Sequence, residues 1–130
     1  MTIISLARTT RTPAVEFDFK TNQFALLGES YPEDVSEFYG PVITPLEAHL
    51  RNQKGANISF KFEFLYFNSG TAKVVMQIFD MLEQVAAKGN NVAIIWACEK
   101  DDDNIREIGQ EFAEELKYAR FILKELPQSP

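Results

Sequence analysis

The sequence predicts an α/β fold, one sheet with helices packed against it in the order β-β-α-β-α-β-α-β. Apolar and polar residues alternate along Ile58–Phe67, a helical period follows at once over Thr71–Lys88, and a second apolar run occupies Val92–Cys98. Strand-helix-strand succession in so short a chain leaves room for little except helices laid on a single sheet. With 130 residues the chain is long enough for one real core and no second one.

Taken in order, Val15-Glu16-Phe17-Asp18-Phe19 alternates, Lys20-Thr21-Asn22-Gln23 reads as a hairpin turn, and Phe24–Leu27 is the returning strand. Ser36–Arg51 carries Phe38, Tyr39, Val42, Ile43, Leu46 and Leu50 at helical spacing, but Pro41 and Pro45 fall inside it. A proline within a helix removes a hydrogen bond and costs about 3 kcal/mol. Thr44-Pro45-Leu46-Glu47 also has the form of a helix start, so the choices are one kinked helix or a short helix after a turn. Along Ile58–Phe67, Ile58, Phe60, Phe62, Phe64 and Tyr66 share one face and Ser59, Lys61 and Glu63 the other. Apolar Leu65 and Phe67 then predict a strand end covered on both faces.

Val75, Ile78, Leu82 and Val85 form the apolar stripe of the next helix, and Lys73, Gln77, Asp80 and Gln84 line its opposite side. Gly89-Asn90 ends it. Asp101–Asn104 supplies caps for a third helix bearing Ile105, Ile108, Phe112, Ala113 and Leu116, and Ala119–Leu126 is the last strand. Eleven phenylalanines predict an aromatic core.

Composition excludes several kinds of work. A net charge of -6 argues against binding nucleic acid or an anionic membrane. Cys98 is the lone cysteine, so no internal disulfide framework exists, and its apolar setting predicts a buried, inert thiol. Met1–Arg11 lacks the apolar core of a signal peptide, and no apolar stretch is long enough to insert in a bilayer, which makes the cytoplasm the expected compartment. His49 is the only histidine, so a histidine metal cluster is ruled out, and a helical surface or half-buried role outweighs a catalytic one. Glu99-Lys100-Asp101-Asp102-Asp103 is acidic, but acids at a helix start are favoured as caps before they are a cation site. Single glycines, including Gly70, form no phosphate loop. No catalytic residue, metal site or cofactor is expected.

The residues with chemical promise are Asn68-Ser69-Gly70-Thr71, at the junction of strand and helix. In the plainer reading Asn68 or Ser69 caps the helix, worth about 0.5–2 kcal/mol, and Thr71 is merely exposed in the first turn. In the other, a phosphate on Ser69 meets free N–H groups and the positive end of the helix. Gly70 adds no bulk beside it, and Lys73 reaches back from one turn along.

Tyr31-Pro32-Glu33, Phe38-Tyr39-Gly40, Phe64-Leu65-Tyr66-Phe67-Asn68-Ser69, Lys73 and Ile78-Phe79-Asp80-Met81-Leu82-Glu83 together resemble the SiaC family of bacterial regulatory phosphoproteins. The resemblance covers residues 12–126, which it implies to be a single STAS-like domain with a mixed sheet, similar to anti-sigma-factor antagonists. Residues 1–11 are then an N-terminal extension or edge segment, and 127–130 a C-terminal tail. It further implies a non-catalytic partner switch. A cognate Ser/Thr protein kinase phosphorylates the hydroxyl residue after the asparagine, a PP2C-type phosphatase reverses this, and the unmodified form binds an effector such as a diguanylate cyclase.

On this chain the asparagine falls on Asn68, the acceptor on Ser69 and the family lysine on Lys73, with Thr71 as the alternative acceptor. Ser69 stands where the best-known member has threonine. Partner contact is expected at the rim of Tyr66–Lys73 and the outward side of the following helix, at Met76, Gln77 and Asp80. Met76 reads equally as an adaptable contact or as the edge of the core. The competing functions are a constitutive interaction or scaffold domain whose Ser69 is only a cap and, more remotely, a small enzyme.

Overall fold

The computed structural model describes residues 2–127. Met1 and, of the expected tail, residues 128–130 lie outside the described residues. The chain forms β1 (Ile3–Leu6), β2 (Ala14–Asp18), β3 (Gln23–Ser30), α1 (Val35–Arg51), β4 (Asn57–Phe67), α2 (Ser69–Ala87), β5 (Asn91–Glu99), α3 (Asp103–Ala113) and β6 (Arg120–Leu126). The expected order is present, preceded by β1, an edge strand supplied from within residues 1–11.

The six strands stand side by side in chain order. β1, β2 and β3 are antiparallel neighbours, and β3 to β6 run parallel, so the sheet is mixed. The hairpin closes because Asn22 takes φ 57, in the left-handed region asparagine tolerates, and because Asp18 Oδ1 accepts from the N–H groups of Lys20 and Thr21 at 3.1 and 3.2 Å. Each parallel step then moves one strand in the same direction. Right-handed crossovers therefore lay the helices on one face of the sheet, where α1 packs on α2 and α2 on α3.

Two-sided cover at the end of β4 is thus not what forms. Gly28 pairs with Phe64 but Glu29 pairs with Tyr66, so Leu65 is an extra residue, a β-bulge. Ile58, Phe60, Phe62 and Phe64 face the helices, and the bulge resets the alternation so that Phe67 faces them next. Tyr66, expected on that inner face, instead stands outward and 52% exposed, with Leu65 46% exposed. Gly28 supplies φ +121 opposite the bulge, and the Arg8 guanidinium lies over it, 3.3 Å from where a Cβ would be.

α1 is one continuous helix through Pro41 and Pro45. Its cap is Asp34, whose Oδ1 accepts from Glu37 N–H at 3.0 Å, rather than Thr44. The two prolines are four residues apart and so share one stripe, with Pro41 exposed and Pro45 half-buried. The buried stripe, Tyr39, Val42, Ile43, Leu46 and Leu50, offsets the missing hydrogen bonds, since each large apolar side chain contributes about 1.5–3 kcal/mol. α3 ends at Ala113, short of the expected Leu116, which packs on the core from the loop beyond.

The core is aromatic, as the composition predicts. Phe17, Phe24, Phe60, Phe62 and Phe79 run as neighbouring rings to Trp96, which also meets Phe112 of α3. Trp96 donates its indole N–H to Ile105 O at 2.9 Å. Gly109 is what lets α3 come so close: a Cβ there would collide with the Trp96 indole ring.

Candidate functional site

β4 delivers Asn68 to the start of α2 in an extended conformation, φ -89 and ψ 176. Its side chain accepts from Thr71 N–H at 3.0 Å, and its own N–H donates to Ser30 O at 3.1 Å. Asn68 is therefore the cap, and the choice left open between Asn68 and Ser69 resolves in its favour. Ser69 begins the helix, exposed, with the capping already done by its neighbour.

Thr71 has the opposite environment. It is fully buried, not exposed in the first turn as the plainer sequence reading had it. Its hydroxyl donates to Ser30 O at 3.1 Å and lies 2.8 Å from Ser30 Oγ. Ser30 Oγ in turn shares a 2.6 Å hydrogen bond with the Tyr39 hydroxyl. Burial pushes the Tyr39 phenol up to about 12, against the smaller downward pull of its hydroxyl partners. This knot ties β3, α1 and α2 together directly beneath the helix start.

Gly70 lies against α1, and a Cβ on it would come 2.7 Å from Val35 Cγ2. Lys73, Met76, Gln77 and Asp80 all reach the surface on α2, with Met76 56% exposed. Tyr66 joins this rim only because of the bulge. Its ring meets Tyr31 edge-on at 5.8 Å, and the Arg11 guanidinium sits 5.6 Å from the Tyr31 ring centre while pairing with Glu33 at 2.7 Å. Leu65, Tyr31 and Arg11 were not singled out from sequence as site residues. Nothing in the local pattern marks the bulge that brings them together.

The three helix starts differ in charge. α1 is capped by Asp34 with Glu37 in its first turn, and α3 by Asp102 with Asp103 in its first turn. α2 has a neutral cap and no acidic residue in its first turn, so its own residues leave its positive end uncompensated.

The remaining candidates hold structural positions. His49 shares a 2.6 Å hydrogen bond between Nε2 and Asn22 Oδ1, packs edge-on to Phe19, and is pushed below its usual value by burial. In the acidic run, Asp102 Oδ1 accepts from Ile105 N–H at 3.1 Å and Asp103 pairs with Arg106 at 2.7 Å. Cys98 is buried, which pushes its thiol up. Among the described residues no group of three or more potential ligands is placed to hold a metal ion, and no helix is long and apolar enough to cross a membrane.

A family model described as SiaC family regulatory phosphoprotein matches residues 6–126. An uncharacterised protein of Pseudomonas aeruginosa (strain UCBPP-PA14) is 28% identical over 118 residues, spanning 91% of this chain and 93% of its own. The crystal structure of apo-SiaC from Pseudomonas aeruginosa superposes with a TM-score of 0.86 at 27% identity, covering 95% of this chain and 99% of that one. A similar chain occurs in the crystal structure of the diguanylate cyclase SiaD in complex with its activator SiaC from Pseudomonas aeruginosa. That match has a TM-score of 0.87 and 27% identity, over 95% of this chain and 99% of that one.

Proposed function

The chain belongs to the SiaC family of regulatory phosphoproteins, and from that premise we propose that it is a partner switch controlled by phosphorylation of Ser69. It is a regulator and not itself a catalyst. The observation that carries the proposal is the pairing of an exposed hydroxyl with an uncharged, already capped helix start. A phosphate on Ser69 brings about two negative charges to N–H groups at the positive end of α2, whose own first turn carries no carboxylate. Asn68 keeps the cap and the Thr71 knot is untouched, so the fold tolerates the change. Thr71 is the poorer acceptor because a kinase would have to pull a fully buried, hydrogen-bonded hydroxyl out of the core.

What the phosphate changes is the surface. In the unmodified protein Tyr66, Met76, Gln77 and Asp80 with Lys73 offer a mixed apolar and polar rim to a partner. Two added charges at its end repel a partner's carboxylates and penalise burial of the helix start. Pseudomonas aeruginosa SiaC is the activator of the diguanylate cyclase SiaD in their complex. By that likeness the effector here is a diguanylate cyclase, with a cognate Ser/Thr kinase and a PP2C-type phosphatase setting the phosphate, all in the cytoplasm.

Incubation with the cognate kinase and ATP, followed by mass-spectrometric mapping, is expected to place one phosphate on Ser69 and none on Ser69→Ala. The phosphorylated protein should then lose capture of the cyclase that the unmodified protein retains. Label on Thr71, label on neither residue, or undiminished capture after stoichiometric Ser69 phosphorylation would each sink the proposal.

A further inference from the structure

Between α2 and α3 runs a groove of about 400 Å³ whose floor is apolar: Met76 and Phe79 from α2, Phe112 from α3 and Leu116 just beyond it. Its rim is acidic, with Asp80 on one side and Glu111, Glu114 and Glu115 on the other. Among the described residues none of these four carboxylates has a salt-bridge partner. Glu83, which also lines the groove, is spoken for: it accepts from the N–H groups of Lys117, Tyr118 and Ala119 at 2.6, 3.0 and 2.9 Å.

We propose that this groove is the docking slot for an amphipathic helix of a protein partner, with its apolar stripe on Met76, Phe79, Phe112 and Leu116 and lysine or arginine flanking that stripe. α2 and α3 both follow parallel strands of one sheet, so they run side by side and leave a furrow along their axes. From Met76 to Glu83 the furrow extends about 10 Å, two helical turns, which suits anchors at i, i+3, i+4 and i+7. An apolar floor ringed by carboxylates that lack a cationic partner selects charge as well as shape. A second copy of this chain, at net charge -6, brings like charge to like, and so does an anionic lipid surface. A basic helix relieves the repulsion among the rim carboxylates.

The inference deepens the partner-facing role given to Met76 and Asp80 and rests on that reading, but its test needs neither kinase nor phosphate. A fluorescein-labelled helical peptide with leucines at i, i+3, i+4 and i+7 and flanking lysines is titrated into the unmodified full chain and followed by anisotropy. The same peptide with glutamates for lysines is the control. The lysine peptide is expected to bind at least about tenfold more tightly than the control, and the double variant Glu111→Lys/Glu115→Lys to lose at least about tenfold in affinity. Amide shifts should centre on Met76, Phe79 and Phe112. Equal affinity for the two peptides, an unaffected double variant that circular dichroism shows to be folded, or shifts centred on the open sheet face would overturn the proposal. So would a concentration-dependent dimer that buries the groove. A Ser69 that takes no phosphate would leave this binding measurable, so the two proposals fail separately.

Discussion

α2 and α3 begin in the same way and for opposite ends. Each follows a parallel strand, and each is capped by a short side chain that accepts the N–H three residues on: Asn68 from Thr71 at 3.0 Å, Asp102 from Ile105 at 3.1 Å. At α3 the positive helix end is already answered by Asp102 and Asp103, with Arg106 bound to Asp103 and donating to Lys100 O at 2.6 Å. At α2 nothing charged occupies the first turn. The α3 start is also welded to the core through the Trp96 indole, whereas α2 presents a free hydroxyl two residues from the knot that holds it. Cap geometry is thus the common part, and charge and packing decide which start can accept a modification.

The contrast breaks most visibly at the two close-packed glycines. Gly109→Ala drives a methyl into the Trp96 ring, buried on all sides, and is expected to cost about 3 kcal/mol in urea unfolding. Gly70→Ala presses on the half-buried Val35 methyl, and the helix propensity gained by alanine, about 1 kcal/mol, offsets the push. Equal losses at the two positions would show that the α2 start is as rigidly built as α3.

The two hydroxyls of the α2 start come next. Thr71→Val takes a partner from both the hydroxyl and the carbonyl of Ser30 in a buried site and is expected to cost about 1–3 kcal/mol. Ser69→Ala should stay within about 0.5 kcal/mol. A large loss from Ser69→Ala would give Ser69 a structural duty and favour the scaffold reading.

Exchange of cap charge sharpens the electrostatic half of the comparison. Asn68→Asp keeps the cap and adds an anion to an unopposed helix end, for a gain of about 0.3–1 kcal/mol at neutral pH and low salt. Asp102→Asn should lose a similar amount, and both effects should shrink in 1 M salt as the Debye length falls to about 3 Å.

The smallest expected effect lies at the far end of α3. Burial pushes the Glu83 carboxyl up, but the N–H groups of Ala119, Lys117 and Tyr118 and the Lys117 charge outweigh it and hold it below the usual carboxylate value. A carboxyl depressed in the fold adds stability above its unfolded pKa and loses it as pH falls through the folded one. The Tm difference between the protein and Glu83→Gln should therefore be largest at neutral pH and fade on acidification. A difference that is flat with pH would mean the loop is held by shape alone.

Much of the fold was legible because alternation along Ile58–Phe64 and the stripe Val75, Ile78, Leu82 and Val85 are direct prints of burial on one face. The parts that were not legible depend on pairing between distant segments. The bulge at Leu65 exists only in register with Gly28, and a continuous α1 exists only because Tyr39, Val42 and Leu46 bury against the sheet. Within Asn68–Thr71 the hydroxyl-bearing residues were visible, but Thr71 is buried by Ser30 and Tyr39, residues with no local signature linking them to it. The acidic α2–α3 groove has no local signature for the same reason, since Met76 and Glu111 are brought together by the sheet.

The Trp96 indole, the chain's only one, is 1% exposed and hydrogen-bonded to a backbone carbonyl of α3. It also touches Phe67, the residue that precedes Asn68. The protein therefore carries a built-in fluorophore whose emission colour reports whether α3 is seated, without any label. Emission from the phosphorylated chain that stays at the blue wavelength of the native one would mark a change confined to the surface, and a red shift would mark a change transmitted to the core.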